Sequence, residues 1–134
     1  MNFLSRLHND DLAKLLLRFA IGGLMIPHGI HKITDGIGRI ETMLAKAGLP
    51  EFFAHGVWVG ELIAPALIVF GVKTRASAAV VALTMLMSIY LAFRDRLMTL
   101  NQFGGWVIEL NLLFMVGAMA LVFSGSGRYA FKED

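Results

Sequence analysis

The chain contains no cysteine, and this absence removes several chemistries at once. Disulfides, thiolate metal sites, thiol nucleophiles and CxxC redox pairs all require cysteine, so the sequence excludes them. Charge is scarce as well: 16% of the 134 residues are charged, against about a quarter in an average soluble domain. A secreted disulfide protein and a soluble two-domain enzyme are therefore both excluded.

The basic residues form no run, although the formal net charge is +2. Lys and Arg are scattered near the ends of apolar segments, so we predict no nucleic-acid partner. The length permits one compact unit, and we expect a single domain over residues 1–134. The N-terminal residues lack the small-residue cleavage site of a signal peptide, so the first apolar segment is expected to remain in the mature protein.

Long apolar segments replace the missing charge. Hydrophobic residues make up 57% of the chain, and its mean hydropathy is +0.67. Four segments approach the roughly 20 residues that a membrane-spanning helix needs, and they cover about residues 12–30, 52–71, 76–93 and 105–123. The sequence therefore predicts an all-α, polytopic membrane protein, a bundle of four transmembrane helices in contact with the lipid bilayer.

An even number of spans places both termini on the same side of the membrane. Lys and Arg are slightly more frequent on that side, which includes the compact turn Lys73–Thr74–Arg75. Because positive residues concentrate in cytoplasmic loops, we predict a multi-pass protein of the cytoplasmic (inner) membrane with both termini in the cytoplasm.

The connection between the first two spans has a helical pattern of its own. Apolar residues recur there at helical spacing, and Gly48 and Pro50 supply stop signals. The opposite face carries Arg39, Glu41 and Lys46. We predict a short amphipathic helix, which could lie at the membrane surface or pack over the bundle as a lid.

Three charged residues, Arg18, Glu61 and Glu109, lie within the predicted spans. Each is expected to be paired, hydrated or functional, because a charge at the centre of a membrane helix costs roughly 2.5–3.5 kcal/mol. Arg18 would lie about 9 Å, and Glu61 about 15 Å, from the cytoplasmic ends of their spans, at about 1.5 Å per residue. The small difference in depth predicts an Arg18–Glu61 ion pair, which could be purely structural or could relay a proton.

Glu109 would lie nearer the outer surface, at about the level of His28. Small residues share the Arg18 face of the first span, so the sequence predicts a polar seam that widens outward into a pocket. Carboxylates and imidazoles can exchange protons near neutral pH, and the candidate proton-exchange residues are Glu109, His28 and Glu61. The candidate pocket residues are Trp106, Trp58, Lys32 and Arg18.

Each of these assignments has a simpler alternative. The tryptophans fit the aromatic belt found at membrane interfaces, and Lys32 is expected to extend to the lipid headgroups rather than line the pocket. A metal site is a weak alternative: imidazole and carboxylate ligands suit zinc, copper or iron, but the spacing of His28, His31 and His55 is unspecific. We therefore predict no metal.

Several short motifs, in order and at their spacing, make the chain resemble the DoxX family of small bacterial and archaeal membrane proteins over nearly its whole length. The motifs are Arg18 with Gly22, His28-Gly29-x-x-Lys32, Gly48-Leu49-Pro50, Glu61, Gly71-x-x-Thr74-Arg75, Glu109 and Gly125-Ser126-Gly127-Arg128. The resemblance implies a four-helix membrane bundle and an association with oxidoreductase systems, including quinone-linked sulfur oxidation and enzymes that handle thiol and oxidative stress.

Three functional hypotheses follow from the residues and the resemblance. The first is a membrane subunit of a quinone-linked oxidoreductase that binds a quinone or a similar lipid-soluble molecule near the outer leaflet. Its electrons would come from a partner oxidoreductase or a bound cofactor, because the chain has neither thiols nor a cofactor motif. The second is a non-catalytic anchor for a partner oxidoreductase. The third is a small protein that handles a metal or solute, which would require a homo-oligomer.

Overall fold

The computed structural model describes residues 2–134, and within them the chain forms helices and no strand beyond an isolated bridge between Leu100 and Trp106. Five helices of at least nine residues are described in this part of the chain. They are α1 (Asp10–Asp35), α2 (Gly38–Lys46), α3 (Glu51–Phe70), α4 (Thr74–Phe93) and α5 (Glu109–Ser124). A 3₁₀ turn, Leu4–Leu7, precedes α1.

The composition and length of these helices make the molecule a helical membrane bundle, as the sequence predicts. In the described residues, α1, α3 and α4 are long and apolar enough to cross a membrane. The fourth predicted span is shorter than expected: α5 has 16 residues, which gives about 24 Å of helix. It begins at Glu109 because residues 99–107 form a turn closed by backbone hydrogen bonds between Asn101 and Gly105 and between Val107 and Thr99.

Helix α1 is longer than its apolar segment. Its N-terminus is capped by Asn9, whose side-chain oxygen accepts a hydrogen bond from the backbone N–H of Leu12 at 3.0 Å. Asp10 and Asp11 occupy the first turn, where negative charge is favourable. The helix continues to Asp35 and ends at Gly36, whose φ is +83°. With these extra residues α1 has 26 residues.

Two glycines let α1 approach α3 closely. A Cβ atom at Gly22 would lie 2.6 Å from the carbonyl oxygen of Pro65, and one at Gly29 would lie 2.5 Å from that of Glu61. Any larger residue would therefore push the helices apart. The sequence places Arg18, Gly22, Met25, Gly29 and Lys32 on one face of the first span. This prediction is confirmed, because the first four are buried and Lys32 is half-buried.

The apolar core lies where α1, α3, α4 and α5 meet. Helices α4 and α5 form the most extensive helix pair. Large core side chains from different helices, such as Met25, Ile68, Met85 and Leu121, are at most 3% exposed. Most of the remaining large apolar residues are exposed and face outward, as expected for helices that meet lipid rather than water.

The amphipathic helix α2 packs over the bundle as a lid. Its Leu44 is only 1% exposed, and the helix contacts the first turn of α3 and part of α4. Arg39 and Lys46 remain exposed on its outer face. The structure thus shows the helix packed on the bundle, and we call α2 the lid helix below; its position at the membrane surface stays a prediction.

Residues 125–134 fold back across the end of the bundle that carries both termini. The backbone N–H groups of Phe131 and Lys132 donate to the carbonyls of Phe70 and Gly71 at 3.1 and 3.0 Å. The Arg75 side chain donates to the last carbonyls of α5, those of Val122 and Phe123. We call residues 125–134 the terminal cap.

Candidate binding site at a buried ion pair

Glu61 lies in the middle of α3, inside a π-helical turn that covers Val59–Ile63. A π-turn inserts an extra residue into a helix and is frequent at functional sites. Gly60 precedes Glu61 and packs against the side chain of Thr84 on α4. The Glu61 side chain is 4% exposed, so its charge lies inside the bundle.

The partner of Glu61 is Lys32 of α1. The Lys32 Nζ donates to Glu61 Oε2 at 2.5 Å, and the Lys32 side chain is 32% exposed. Gly29, three residues earlier, brings the two helices close enough for this contact. The expectation that Lys32 extends to the lipid headgroups is therefore wrong: its ammonium group turns inward to a buried carboxylate.

The predicted Arg18–Glu61 ion pair is also wrong. Arg18 is 1% exposed and bonds to backbone carbonyls instead. Its Nε donates to Ile68 at 2.9 Å and its Nη2 to Val69 at 2.7 Å, while Nη1 donates to both Ser126 and Tyr129 of the terminal cap. Among residues 2–134 it forms no salt bridge with a carboxylate.

The register of α1 against α3 explains this correction. The sequence estimate measures depth from the predicted cytoplasmic ends of the two spans and assumes that these ends are level, whereas the first turns of α1 extend beyond the last turn of α3. With Gly22 against Pro65 and Gly29 against Glu61, Arg18 is level with the last turn of α3. Glu61 is instead level with the Gly29–Lys32 turn, so it meets Lys32.

An apolar cavity of about 290 Å³ opens on one side of the Lys32–Glu61 pair. The lid helix supplies Met43 and Leu44 to its wall, and α4 supplies Leu83 and Met87. Its polar lining side chains are Lys32, Glu61, Thr84 and Ser88. A largely apolar pocket with a few convergent polar groups is the usual form of a small-molecule site.

A smaller and more polar cavity, of about 170 Å³, opens on the other side of the same pair. His28 and Asn111 line it, and it shares Lys32, Glu61 and Ser88 with the apolar cavity. His28 stacks edge-on against Phe114, with ring centroids 5.8 Å apart. The Nδ2 of Asn111 donates to Ser88 Oγ at 3.1 Å. The ion pair thus lies at the junction of the two cavities.

The structure brings together some of the predicted site residues and separates others. His28, Lys32 and Glu61 meet around the cavities. Glu109 and Trp106 are exposed and line neither of them. Trp58 lies apart as well, donating from its indole nitrogen to His55 Nδ1 at 3.2 Å.

The weak metal alternative is not assembled. No group of three or more His, Cys, Asp or Glu side chains in residues 2–134 could hold a metal ion. His31 Nε2 is 2.8 Å from an Asp35 carboxylate oxygen on the outer surface, His55 contacts Trp58, and His28 faces Phe114. The three histidines therefore contact different partners and do not form one site.

Sequence reasoning overlooked Ser88 and Asn111. Both are polar residues within otherwise apolar segments, and in a membrane helix such residues mark packing or functional contacts. Asn111 is two residues from Glu109. The charge of Glu109 made it the candidate on α5, but the side of α5 that lines the cavity carries Asn111. Its half-buried position against Ser88 could have been suspected from the apolar run around it.

Comparison with known proteins agrees with this architecture. The sequence profile of the DoxX family matches residues 13–94, which include α1, the lid helix, α3 and α4. The chain belongs to the DoxX family. This match is narrower than the resemblance predicted from the motifs, since it ends before Glu109 and the terminal cap. Of the residues that line the cavities, Lys32, Glu61 and Ser88 lie within the DoxX match and Asn111 lies beyond it.

One curated relative of this DoxX chain is "Putative oxidoreductase CatD" of Bacillus subtilis (strain 168). The two sequences are 34% identical over 76 residues, which cover 57% of this chain and 56% of the relative. The alignment thus spans little more than half the length of either protein. No solved structure matches the chain.

Proposed function

We propose that this DoxX protein is a membrane subunit of a redox-linked system and binds a quinone or a similar lipid-soluble molecule at the Lys32–Glu61 pair. The observation that carries the proposal is a buried carboxylate–ammonium pair that forms the boundary of an apolar cavity. Family membership and the name of the Bacillus relative support a redox role. The proposal further places the protein in the cytoplasmic membrane with both termini in the cytoplasm.

The residues around the cavity fit such a ligand chemically. A quinone, when bound, supplies interconversion with its quinol by two electrons and two protons. Lys32 can donate a hydrogen bond to a carbonyl oxygen, and Glu61 can accept one from a hydroxyl or hold a proton. The lid helix and α4 supply apolar side chains to the cavity wall, and polar contacts are stronger in apolar surroundings. We assign the electrons to a partner oxidoreductase.

The binding experiment compares carboxylate variants of the purified protein in nanodiscs. Ubiquinone and menaquinone analogues are titrated against the wild type, Glu61→Gln, Glu109→Gln and Glu51→Gln, with empty nanodiscs as the blank. Glu51 is the matched control, because it is an exposed carboxylate at the start of the same helix. We expect Glu61→Gln to weaken binding at least about tenfold, since a buried charged partner is lost, and the other two to bind like the wild type.

Two outcomes contradict the proposal. The proposal is wrong if the wild-type protein binds neither quinone. It is also wrong if Glu109→Gln abolishes quinone binding while Glu61→Gln leaves it intact. In the first case, cross-linking in native membranes tests the anchor hypothesis: a stoichiometric soluble partner that survives Glu61→Gln would assign the protein a scaffolding role.

A further inference from the structure

The two cavities share Lys32, Glu61 and Ser88 as a common boundary. We infer that they form one bipartite site, in which the polar cavity takes the oxygen-bearing head of a lipid-soluble molecule and the apolar cavity takes its hydrocarbon tail. The inference rests on the proposed function and adds to it the orientation of the ligand and the residues that select its head.

The polar cavity offers both hydrogen-bond donors and acceptors. Ser88 Oγ accepts from Asn111 and donates to no acceptor within residues 2–134, so its hydroxyl hydrogen can be donated to a ligand. Asn111 Oδ1 receives no hydrogen bond from residues 2–134 and can accept one. Together with the Lys32 donor and the Glu61 acceptor, this lining suits a head whose oxygens are carbonyls in one state and hydroxyls in the other.

The apolar cavity offers room and an opening, with few polar contacts. At its rim, Phe53, Leu83 and Met87 are 54%, 65% and 45% exposed. In a membrane these side chains meet lipid, so a tail in the cavity stays continuous with the bilayer. A tail can therefore enter sideways between the lid helix and α4, without crossing the polar cavity.

The opposite orientation fits the lining less well. A hydrocarbon tail in the polar cavity would cover Asn111 and His28 and displace the water that can bond to them. The tail itself makes no hydrogen bonds, and burying unpaired polar groups is unfavourable. The polar cavity is also the smaller of the two, at about 170 Å³ against about 290 Å³. Size and polarity therefore both assign the head to the polar cavity.

The test separates head from tail with two quinones, measured in nanodiscs. Decylubiquinone carries a ten-carbon tail, and 2,3-dimethoxy-5-methyl-1,4-benzoquinone is the same head without a tail. Asn111→Leu removes the amide at similar volume, with Gln102→Leu in the exposed loop as its matched control. Val80→Phe reduces the apolar cavity, whose wall includes Val80. Each variant is first checked by gel filtration and its melting temperature.

We expect Asn111→Leu to weaken binding of both quinones about tenfold, because one buried hydrogen-bonding group is lost. Val80→Phe should weaken the binding of decylubiquinone by a similar factor and leave the binding of the tail-less quinone unchanged. If Asn111→Leu does not fold, Ser88→Ala replaces it, with a loss for both ligands. If Val80→Phe does not fold, Leu83→Trp at the exposed rim replaces it.

The failures are distinguishable. If both quinones bind and Glu61→Gln weakens them, but Asn111→Leu or Ser88→Ala changes neither, the bipartite site is wrong and the proposed function stands. Equal effects of Val80→Phe on the tailed and tail-less quinones also overturn the bipartite site. If the wild type binds neither quinone, the proposed function and the inference both fall.

Discussion

Arg18 and Glu61 are both buried charges, but at the scale of single residues their surroundings differ. Arg18 is surrounded by carbonyl oxygens from α3 and the terminal cap, which suits a structural role at the terminal end of the bundle. Glu61 contacts a partly exposed lysine at the edge of two cavities. Only the second arrangement gives a ligand access to the charge.

Replacing Arg18 by Met should destabilise the protein strongly. Four carbonyls would lose the Arg18 donor. Apart from hydrogen bonds within the helices, only the carbonyl of Ile68 keeps another donor in residues 2–134, the N–H of Gly71. Because a buried group left without a hydrogen bond costs about 1–3 kcal/mol, we expect a loss of at least about 3 kcal/mol in the free energy of unfolding. Reversible unfolding in detergent measures it. Arg6→Met, an exposed arginine, is the control and should change stability by less than about 0.5 kcal/mol. Equal effects of the two variants would contradict the structural role of Arg18.

A double-mutant cycle on Lys32 and Glu61 should show strong coupling. Removing either partner alone leaves a charge in a poorly solvated place, so we expect a coupling energy of about 1–3 kcal/mol from Lys32→Met and Glu61→Gln. The exposed His31–Asp35 pair is the matched control, with coupling below about 0.5 kcal/mol. If the two cycles gave equal values, Lys32 and Glu61 would not be paired in the membrane.

At the scale of helices, the glycines of α1 set the register that selects the partner of Glu61. Gly22 and Gly29 lie against α3, whereas a Cβ atom at Gly23 would meet nothing within 4 Å. This difference makes Gly23 a control within the same helix.

Alanine at Gly22 or Gly29 should lower the free energy of unfolding by about 1–3 kcal/mol, because the added carbon overpacks the contact with the α3 backbone. Alanine at Gly23 should leave stability unchanged or slightly higher, since alanine favours helix. Thermal unfolding of the three variants provides the measurement. Similar losses at all three glycines would show that the close approach of α1 and α3 does not determine stability.

The lid helix forms part of the wall of the apolar cavity, and Leu44 anchors it to the bundle. Leu44→Ala deletes a fully buried contact of the lid, which typically costs about 2–5 kcal/mol. We expect faster hydrogen exchange across residues 38–46, and Thr42→Ala on the exposed face should leave exchange unchanged. Unaltered protection in Leu44→Ala would mean that Leu44 does not hold the lid in place.

At the scale of the whole molecule, we predict four membrane crossings, with both termini on one side of the membrane and the lid on the other. The absence of native cysteine makes this directly testable. Single cysteines at Ser5 and Lys132 should react with a membrane-impermeant maleimide from the same side, and cysteines at Arg39 and Gln102 from the opposite side. Labelling of Ser5 and Lys132 from opposite sides would contradict the four-span arrangement.

The sequence predicted the architecture well because apolar length and helical period are local properties. The helices and the lid follow from runs such as residues 76–93, which α4 (Thr74–Phe93) reproduces closely. The ion pairing could not be predicted, because it depends on the register of α1 against α3. That register is set by the glycine contacts, which place the first turns of α1 beyond the end of α3.

The candidate site was predicted in part for the same reason. His28, Lys32 and Glu61 were selected by their chemistry, and the fold brings them together. Glu109 was selected by its charge and its nominal depth. Because α5 begins at Glu109 and follows a loop, this residue lies exposed at the end of the helix rather than inside the bundle. Asn111, one of the polar residues that line the cavity, is uncharged, so a search for charged residues does not find it.

The most direct test of the proposed site is photolabelling, in native-like membranes, with a quinone that carries its azido group on the hydrocarbon tail, followed by peptide mapping. We predict cross-links in residues 38–57 and 80–91, which line the apolar cavity, and competition by unlabelled decylubiquinone. Cross-links confined to residues 101–109, around Trp106 and Glu109, or to the terminal cap near Arg18, would contradict a binding site at the Lys32–Glu61 pair.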